Sequence, residues 1–253
     1  MVYKSEDSLT KFSKFLQIRD LSPRTVENYI ESVIHFLKWI EKSANEVTLQ
    51  DGRDFLYYIE IEKGLAKSTV KKYIAGLKQF FIHIMDMPEF STLCPLRRGQ
   101  RILPDVLSKD EIKRILKALS TPKDHVILLL GYSCGLRSSE VARLRVSDID
   151  SDRMKIYIKQ SKRKKDRYVS MSNYLLQELR TYYKYATPKY WLFPSMVNDD
   201  NHIRGKTVTN TLVRAKRKIG ITKGKLQGFH ILRTTFATHS LENGIELHAI
   251  QRE

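Results

Sequence analysis

The sequence predicts a mainly α-helical protein with one small β-hairpin, an α+β fold in two domains. Apolar residues recur at helical spacing through residues 9–84 and again behind Ser108. Between Asp86 and Pro104 that spacing is lost. One stretch, 154–160, alternates between apolar and polar residues as a strand does, and a second short strand follows a polar turn. We therefore divide the chain into a helical domain 1–86, a linker 87–105 and a second domain 106–253.

Four helices joined by short loops are expected in residues 1–86, and four helices make a small bundle. Ser22 and Pro23 suit the N-cap and the first position of the second helix. Thr48 opens the third helix, and the fourth begins at Lys67. The apolar stripes expected to face the core include Leu9, Phe12, Phe15, Leu16, Val26, Ile30, Val33, Phe36, Phe55, Leu56, Ile59, Val70, Ile74, Leu77, Phe80 and Phe81.

The segment 87–105 is predicted to be a basic, extended linker. It contains prolines and a glycine, which interrupt regular structure, and three arginines. An ordinary surface loop explains the same composition equally well. A linker that also touches phosphate would explain the arginines, namely Arg97, Arg98 and Arg101.

The second domain begins with Ser108 and Glu111, which fit a capping box. Helices are expected at 108–119, 125–134, 138–144, 173–185, 207–219 and 231–243, and Gly135 and Gly244 suit helix ends. The hairpin lies between the third and fourth of these helices. Its strands are 154–160 and 167–171, joined by the polar turn 161–166.

The chain is strongly basic, and the excess lies in one part of it. The 45 Lys and Arg against 28 Asp and Glu give a formal charge of +17. Residues 1–105 hold 16 basic and 14 acidic residues, net +2, whereas residues 106–253 hold 29 and 14, net +15. Such a field favours a polyanion, either nucleic acid or an anionic membrane surface. No clear basic amphipathic helix and no membrane-length apolar stretch are present, which disfavours the membrane.

The two cysteines, Cys94 and Cys134, form neither a disulfide framework nor a zinc-ligand spacing. The N-terminus has no apolar signal-peptide region. A reduced cytoplasmic compartment is therefore expected.

Two short motifs place phosphate-seeking groups on helix faces. Gly135-Leu-Arg137 is followed by Glu140, whose carboxylate lies one turn later and can orient the guanidinium on a phosphate. His230 and Arg233 share one face of a later helix, at a spacing that suits a single phosphodiester. Taken alone, each pair also fits an ordinary structural role.

Two cationic segments are candidates for contact with DNA phosphates without sequence reading. The segment from Lys162 to Arg167, at the hairpin turn, holds five cations, and a solvated turn has no need of mutually repelling charges. The helix at 207–219 has a basic face, which simple solvation explains about as well as contact with DNA does. The candidate contacts are Arg163, Lys164, Lys165 and Arg167 in the turn, Arg214, Arg217 and Lys218 on the helix, and Arg97 and Arg98 in the linker.

Together these motifs resemble the tyrosine recombinases, a family that includes phage integrases, integron integrases and chromosome-dimer resolvases. The resemblance rests on the order and spacing of Gly-Leu-Arg137-x-x-Glu140, a lysine-bearing hairpin, His230-x-x-Arg233 and Leu241-Glu-Asn-Gly244. It covers both parts of the chain. Residues 1–86 are similar to the family's core-binding domain, and residues 106–253 to its catalytic domain. Two domains wrapped around duplex DNA as a clamp are the implied architecture.

The resemblance implies a role for each site residue. Arg137 and Arg233 would bind the non-bridging oxygens of the scissile phosphate, and Glu140 would buttress Arg137. His230 would contact the same phosphate and assist proton transfer. Lys162 would be the general acid for the leaving 5′ oxygen; the glycines that flank this lysine in the family are missing here, so Lys164 is a rival. Cations take the place of metal ions in this chemistry, so neither metal nor cofactor is implied.

The family's attacking tyrosine does not occur at its expected place. It normally follows a Leu-Gly-His motif that would come after Glu253, and none of the thirteen tyrosines stands in that position. Covalent catalysis needs its nucleophile. We therefore expect the 253-residue chain to bind double-stranded DNA without cutting it. Self-association on DNA as a dimer or tetramer would be weakened, since the family's docking helix also lies there, and the location would be the cytoplasmic nucleoid.

The sequence is compatible with three hypotheses. The first is a site-specific recombinase whose sequence has been shortened, and the second is an inactive DNA-binding pseudo-recombinase that occupies or structures a recombination site. The third is a metal-dependent nuclease or transposase that uses Asp148, Asp150 and Asp152. These aspartates lie in a loop without a clear distant partner, which favours loop and capping roles.

Overall fold

The computed structural model describes residues 3–96, 103–159, 166–224 and 228–246. The chain divides into two compact units, Met1–Arg101 and Ile102–Glu253. Helices dominate both units, and the strands described form one small antiparallel sheet in the second unit. The predicted fold class, mainly α with a small β element, is confirmed.

The first unit contains the four helices predicted for it. Their starts follow the expected chemistry: the Ser22 hydroxyl accepts the Thr25 N–H at 3.2 Å, and the Thr48 hydroxyl accepts the Asp51 N–H at 3.2 Å. Such caps satisfy backbone donors that a helix leaves without partners. The helices are α1 (Tyr3–Ile18), α2 (Pro23–Ile40), α3 (Leu49–Tyr57) and α4 (Lys67–His83).

Aromatic rings fill the core of this unit, where α2 packs against α4. Phe36 lies edge-on to Phe55 at 5.1 Å and to Phe81 at 5.6 Å between ring centroids. Phe80 meets Phe12 of α1 at 5.2 Å. Edge-to-face aromatic pairs of this kind stabilise the fold beyond the contribution of burying their apolar surface. Of the apolar residues predicted to face this core, all are buried except Leu9, Phe15 and Ile30, which are partly buried.

The structure differs from the expected extended linker over its first part. Pro88–Thr92 forms a 3-10 helix, and Phe90 and Leu93 are buried in the first unit's core. A π-helical turn, Tyr58–Glu62, follows α3 and turns the Glu60 side chain inward, where its carboxylate accepts the Leu96 N–H at 2.9 Å. Two apolar side chains in a proline-interrupted stretch are too few to give a periodic signal, so the sequence did not reveal this packing.

The helices of the second unit are α5 (Lys109–Lys117), α6 (Pro122–Ser133), α7 (Ser138–Ala142), α8 (Asn173–Ala186), α9 (Gly205–Lys218) and α10 (His230–Glu242). The apolar helix α6 lies at the centre and packs against α7, α8, α9 and α10. Thr121 caps it and Pro122 takes its first position, three residues before the expected start. The capping box of Ser108 and Glu111 at the start of α5 is confirmed.

Within the described residues, the sheet has three strands in the order β1-β2-β3: Ile149–Asp150, Lys155–Ile158 and Arg167–Ser170. The predicted hairpin corresponds to β2 and β3, whose antiparallel register pairs Ile158 with Arg167. The sequence missed β1, because a strand of two residues is too short to alternate. Every helix within the described ranges is too short or too polar to cross a bilayer.

Candidate active site

Arg137 stands at the N-cap of α7, immediately beyond a sharp turn at Gly135. Its Nη1 donates to Glu140 Oε1 at 2.7 Å, and its backbone N–H donates to Glu140 Oε2 at 2.9 Å. The arginine side chain keeps 34% of its surface exposed, whereas that of Glu140 keeps 5%. A buried carboxylate therefore holds a guanidinium that is still partly accessible to a ligand.

A second arginine binds the same carboxylate from the sheet. Arg167, the first residue of β3, donates from Nη1 to Glu140 Oε1 and from Nη2 to Oε2, both at 3.0 Å. Its side chain is 13% exposed. We expected Arg167 to be one of the exposed phosphate contacts of the turn. The structure instead engages its guanidinium with Glu140, because the carboxylate is the buried anion within its reach.

The ionisation of Glu140 follows from these contacts. Burial opposes the charged form, but the hydrogen bonds and charges of Arg167 and Arg137 outweigh it and lower the Glu140 pKa to about 2. The carboxylate is therefore ionised throughout the physiological range, and both arginines have a permanent counter-ion.

Arg233 and His230 lie one turn apart on α10, as their spacing predicts. Arg233 Nη1 donates to the Gly135 carbonyl at 2.6 Å, which brings this guanidinium to the turn that leads into Arg137. Burial, then the charges of Arg137 and Arg167, lower the Arg233 pKa, and Glu140 opposes that change. An arginine nevertheless remains charged in a protein.

His230 is exposed as a residue, but its ring is partly screened from solvent and lies in the electrostatic field of Arg233 and Arg137. Burial of its ring, followed by the positive charges of Arg233 and Arg137, lowers its pKa below the ordinary value of 6.5. The imidazole is therefore mostly neutral at pH 7 and able to accept a proton.

The cluster as a whole is suited to a phosphodiester. The cluster has a net charge of +2, because it combines the three guanidinium groups of Arg137, Arg167 and Arg233 with the one carboxylate of Glu140. A phosphodiester carries one negative charge, and attack by an oxyanion adds another in the pentacoordinate transition state. Preorganised cations stabilise such developing charge without reorganisation. A neutral imidazole beside them can take part in proton transfer.

The comparisons with known proteins decide the family. Residues 105–253 match the model of the phage integrase family, and residues 9–88 match that of the phage integrase N-terminal SAM-like domain. The chain belongs to the phage integrase family, the tyrosine recombinases. Members of this family are site-specific DNA recombinases, so the resemblance inferred from the motifs is confirmed.

Relatives and solved structures agree with this assignment. A Sinorhizobium fredii protein named as an integrase/recombinase is 34% identical over 242 residues, covering 95% of this chain and 78% of the relative. The tyrosine recombinase XerA of Thermococcus kodakarensis is 29% identical, covering 96% and 84%. A lambda integrase tetramer bound to a Holliday junction shares the fold, with a TM-score of 0.77 at 19% identity, covering 98% of this chain and 75% of that chain.

The segment that leads into α10 of this recombinase is held by the start of the second unit. Asp105 accepts the Gly224 N–H at 2.7 Å, and Lys223 Nζ lies 3.3 Å from Glu111 Oε2. Lys216, a buried lysine of α9, donates to the Lys223 carbonyl. The sequence pattern did not reveal these positioning contacts. The partners are 119 residues apart in the contact of Asp105 with Gly224 and 112 residues apart in that of Glu111 with Lys223.

The basic face of α9 is only partly free to meet DNA. Arg214 lies 3.4 Å from Asp124, and Lys218 Nζ donates to the Ala118 carbonyl at 3.1 Å, although both side chains lie on exposed residues. Arg217 is exposed as well. The other predicted phosphate contacts lie outside the described residues; they are Arg97, Arg98, Arg163, Lys164 and Lys165. The predicted general acid, Lys162, lies outside them as well.

The aspartates of the nuclease hypothesis have capping and turn roles. Asp148 is buried and accepts the Arg145 N–H at 2.9 Å, and Asp150 accepts the Arg153 N–H at 2.9 Å. Asp152 accepts the Ser151 hydroxyl at 3.4 Å. Within the described part of the chain, no group of three or more His, Cys, Asp or Glu side chains is arranged to hold a metal ion.

Gly135→Ala is expected to destabilise the second unit and to disturb the positions of Arg137 and Arg233. Gly135 has a φ of +60°, and an added Cβ would lie 2.6 Å from the Phe236 ring. Overpacking of this kind costs about 1–3 kcal/mol beyond the roughly 1–2 kcal/mol of a left-handed conformation. Urea unfolding followed by Trp191 fluorescence in a Trp39→Phe background reports on the second unit, because Trp39 lies in the first.

Gly220→Ala is the matched control, since Gly220 has a φ of +70° and nothing within 4 Å of the added Cβ. This variant should lose only the backbone contribution. Equal losses in free energy of unfolding for the two variants would show that the Phe236 contact does not constrain the turn.

Proposed function

We propose that this recombinase grips the scissile phosphate of duplex DNA with Arg137, Arg233 and His230 and exchanges strands by phosphodiester transfer. One observation carries the proposal: the Arg233 guanidinium binds the carbonyl of the turn that leads into Arg137. Two cations from helices far apart in sequence thus meet at one place. The family membership supplies the substrate class, and the cluster's charge suits it.

Each side chain has a defined task in the proposed reaction. Arg137 and Arg233 bind the non-bridging oxygens and stabilise the added negative charge of the transition state. Neutral His230 contacts the same phosphate and assists transfer of the proton from the attacking hydroxyl. As the new O–P bond forms, the bond from phosphorus to the 5′ oxygen breaks, and Lys162 or its rival Lys164 gives that oxygen a proton.

The attacking group in this family is a tyrosine, and none of the thirteen tyrosines of residues 1–253 stands at its position. Several are committed elsewhere: the Tyr132 hydroxyl is 3.1 Å from His239 Nδ1, and the buried Tyr182 hydroxyl donates to the Leu192 carbonyl at 2.9 Å. We propose that the 253-residue polypeptide binds DNA without cleaving it. The second candidate is a pseudo-recombinase, inactive whatever nucleophile is supplied.

We also propose that both domains, 1–86 and 106–253, contact one duplex and that copies of the protein assemble on it. The lambda integrase structures support this proposal, since they contain a tetramer on a Holliday junction and a dimer on a core site. The net charge of +17 further favours DNA. Binding should weaken steeply with salt, because many phosphates are contacted.

A nicked suicide duplex tests the proposed chemistry. The duplex is first selected by the 253-residue polypeptide from a random pool, and nicks are then placed near each candidate cut position. We expect selective binding with no covalent protein–DNA product, and covalent product once a family segment with the Leu-Gly-His motif and the tyrosine follows Glu253.

Each outcome decides one part of the proposal. Covalent product from the 253-residue polypeptide alone would contradict the claim that it cannot cleave. Binding without product in the extended form would favour the pseudo-recombinase. Failure to bind any duplex would overturn the proposed function itself.

A further inference from the structure

The sheet positions Arg167 through contacts within the chain itself. Arg167 opens β3, where it pairs with Ile158 of β2 in antiparallel register. Its neighbour Asp166 accepts the Tyr157 hydroxyl at 2.5 Å, a second link between the two strands beside the same residue. A side chain based on paired strands is held more firmly than one based on a loop.

Glu140 joins this arginine to the phosphate-binding one. Its Oε1 accepts from both Arg137 Nη1 and Arg167 Nη1, and its Oε2 accepts from the Arg137 N–H and Arg167 Nη2. These four bonds use about all the lone-pair sites of a carboxylate. Removal of Arg167 would leave Glu140 with half of them, all from Arg137, and without its link to the sheet.

The exposures distinguish the two arginines. The Arg137 side chain is 34% exposed and can meet a ligand, whereas that of Arg167 is 13% exposed and lies on the carboxylate. A residue placed like Arg167 therefore affects the ligand by way of Arg137. Misplacement of a reacting group by about 1 Å can cost roughly 100-fold in rate.

We propose that Arg167 is a positioning residue, which fixes the Glu140 carboxylate and through it the orientation of Arg137 toward the scissile phosphate. The inference rests on the proposed function for its consequence in DNA binding. Its structural part, the support of Glu140 by Arg167, stands independently of any DNA.

The test compares Arg167→Gln and Arg167→Lys with the control Arg153→Gln in the 253-residue polypeptide. Arg153 is an exposed arginine of the same unit that pairs with Asp150. The first readout is the Glu140 pKa, measured by NMR of the side-chain carboxyl carbon. We expect Arg167→Gln to raise it from about 2 toward the ordinary value of 4.5, and Arg153→Gln to leave it unchanged.

The second readout separates positioning from direct contact. Selected duplexes are prepared with a neutral methylphosphonate in place of one phosphate at a time. For each position, the Kd for the modified duplex divided by the Kd for natural DNA shows how strongly the site recognises that phosphate. Arg167→Gln should reduce that ratio several-fold while changing the Kd for the neutral duplex less than two-fold. The salt slope should be unchanged, whereas loss of a phosphate contact lowers it by about 1.

Arg167→Lys keeps the charge but offers one nitrogen in place of a planar fork. It should show intermediate values in both readouts, and it decides the matter if Arg167→Gln fails to fold. An unchanged Glu140 pKa together with a reduced salt slope would overturn the proposal and make Arg167 a direct phosphate contact. If no duplex is bound, the proposed function fails, and the Glu140 pKa still decides whether Arg167 supports that carboxylate.

Discussion

Arg137→Ala or Arg233→Ala is expected to remove strand transfer almost entirely while leaving most of the DNA affinity. Each guanidinium is placed to meet the charge that grows in the transition state, and one lost donor of this kind costs about 100- to 1,000-fold in rate. Binding, in contrast, is shared among many phosphates, so we expect the Kd to rise by less than about ten-fold. The rate is measured with a tyrosine-bearing form on the nicked duplex, and the Kd with the 253-residue polypeptide.

Arg153→Ala is a suitable control for both measurements, because this arginine is 78% exposed and pairs with Asp150. It should leave rate and affinity nearly unchanged. A collapse of DNA affinity in either Arg137→Ala or Arg233→Ala would mean that these residues hold the duplex as a whole, and the separation of binding from catalysis would be wrong.

Glu140→Gln is expected to cause the largest loss of stability among single changes at the site. It leaves the guanidinium groups of Arg137 and Arg167 beside each other without their shared counter-ion. Breaking a buried ion pair by removing one partner costs about 3–5 kcal/mol. Urea unfolding monitored by Trp191 fluorescence, again in the Trp39→Phe background, measures the free energy of unfolding of the second unit.

The loss of stability in Glu140→Gln is expected to depend on pH. The Glu140 pKa is about 2 in the folded protein against an ordinary 4.5, so ionised Glu140 stabilises the fold above pH 4.5. A shift of this size corresponds to about 3 kcal/mol, which is lost progressively as the pH falls from 4.5 toward 2. The difference between wild type and Glu140→Gln should therefore be largest near neutral pH and shrink in acid.

Asp150→Asn is the matched control, because Asp150 and Arg153 have the same three-residue spacing as Arg137 and Glu140 but are far more exposed. Exposed pairs contribute about 0–1 kcal/mol. If Glu140→Gln lost no more stability than Asp150→Asn at pH 7, the carboxylate would not be the centre of the cluster.

Local chemistry allowed much of the fold and part of the site to be predicted from the sequence. Ser22, Thr48 and Ser108 cap the helices that their positions indicated, since capping depends on residues within one turn. The pairs Arg137 with Glu140 and His230 with Arg233 occupy the expected helix faces for the same reason. Motif order and spacing then identified the family, which the comparisons confirm.

Contacts between residues distant in sequence were not predicted. Arg167 lies 27 residues from Glu140, and Arg233 lies 98 residues from the Gly135 carbonyl that it binds. Periodicity contains no information on such distances. Arg167 was therefore grouped with its charged neighbours in the turn, whereas the folded chain places it against a buried carboxylate.

Single-position replacement of phosphates by methylphosphonates tests most directly whether Arg137 and Arg233 meet on one phosphodiester. The wild-type 253-residue polypeptide should show one position in each half of the selected site where neutralisation raises the Kd about ten-fold, as expected for loss of a charge-assisted hydrogen bond. Arg137→Ala and Arg233→Ala should each reduce the penalty at that same position, because the variant keeps only one of the two arginines. Penalties that persist unchanged in both variants, or that the two variants reduce at different phosphates, would contradict a shared site.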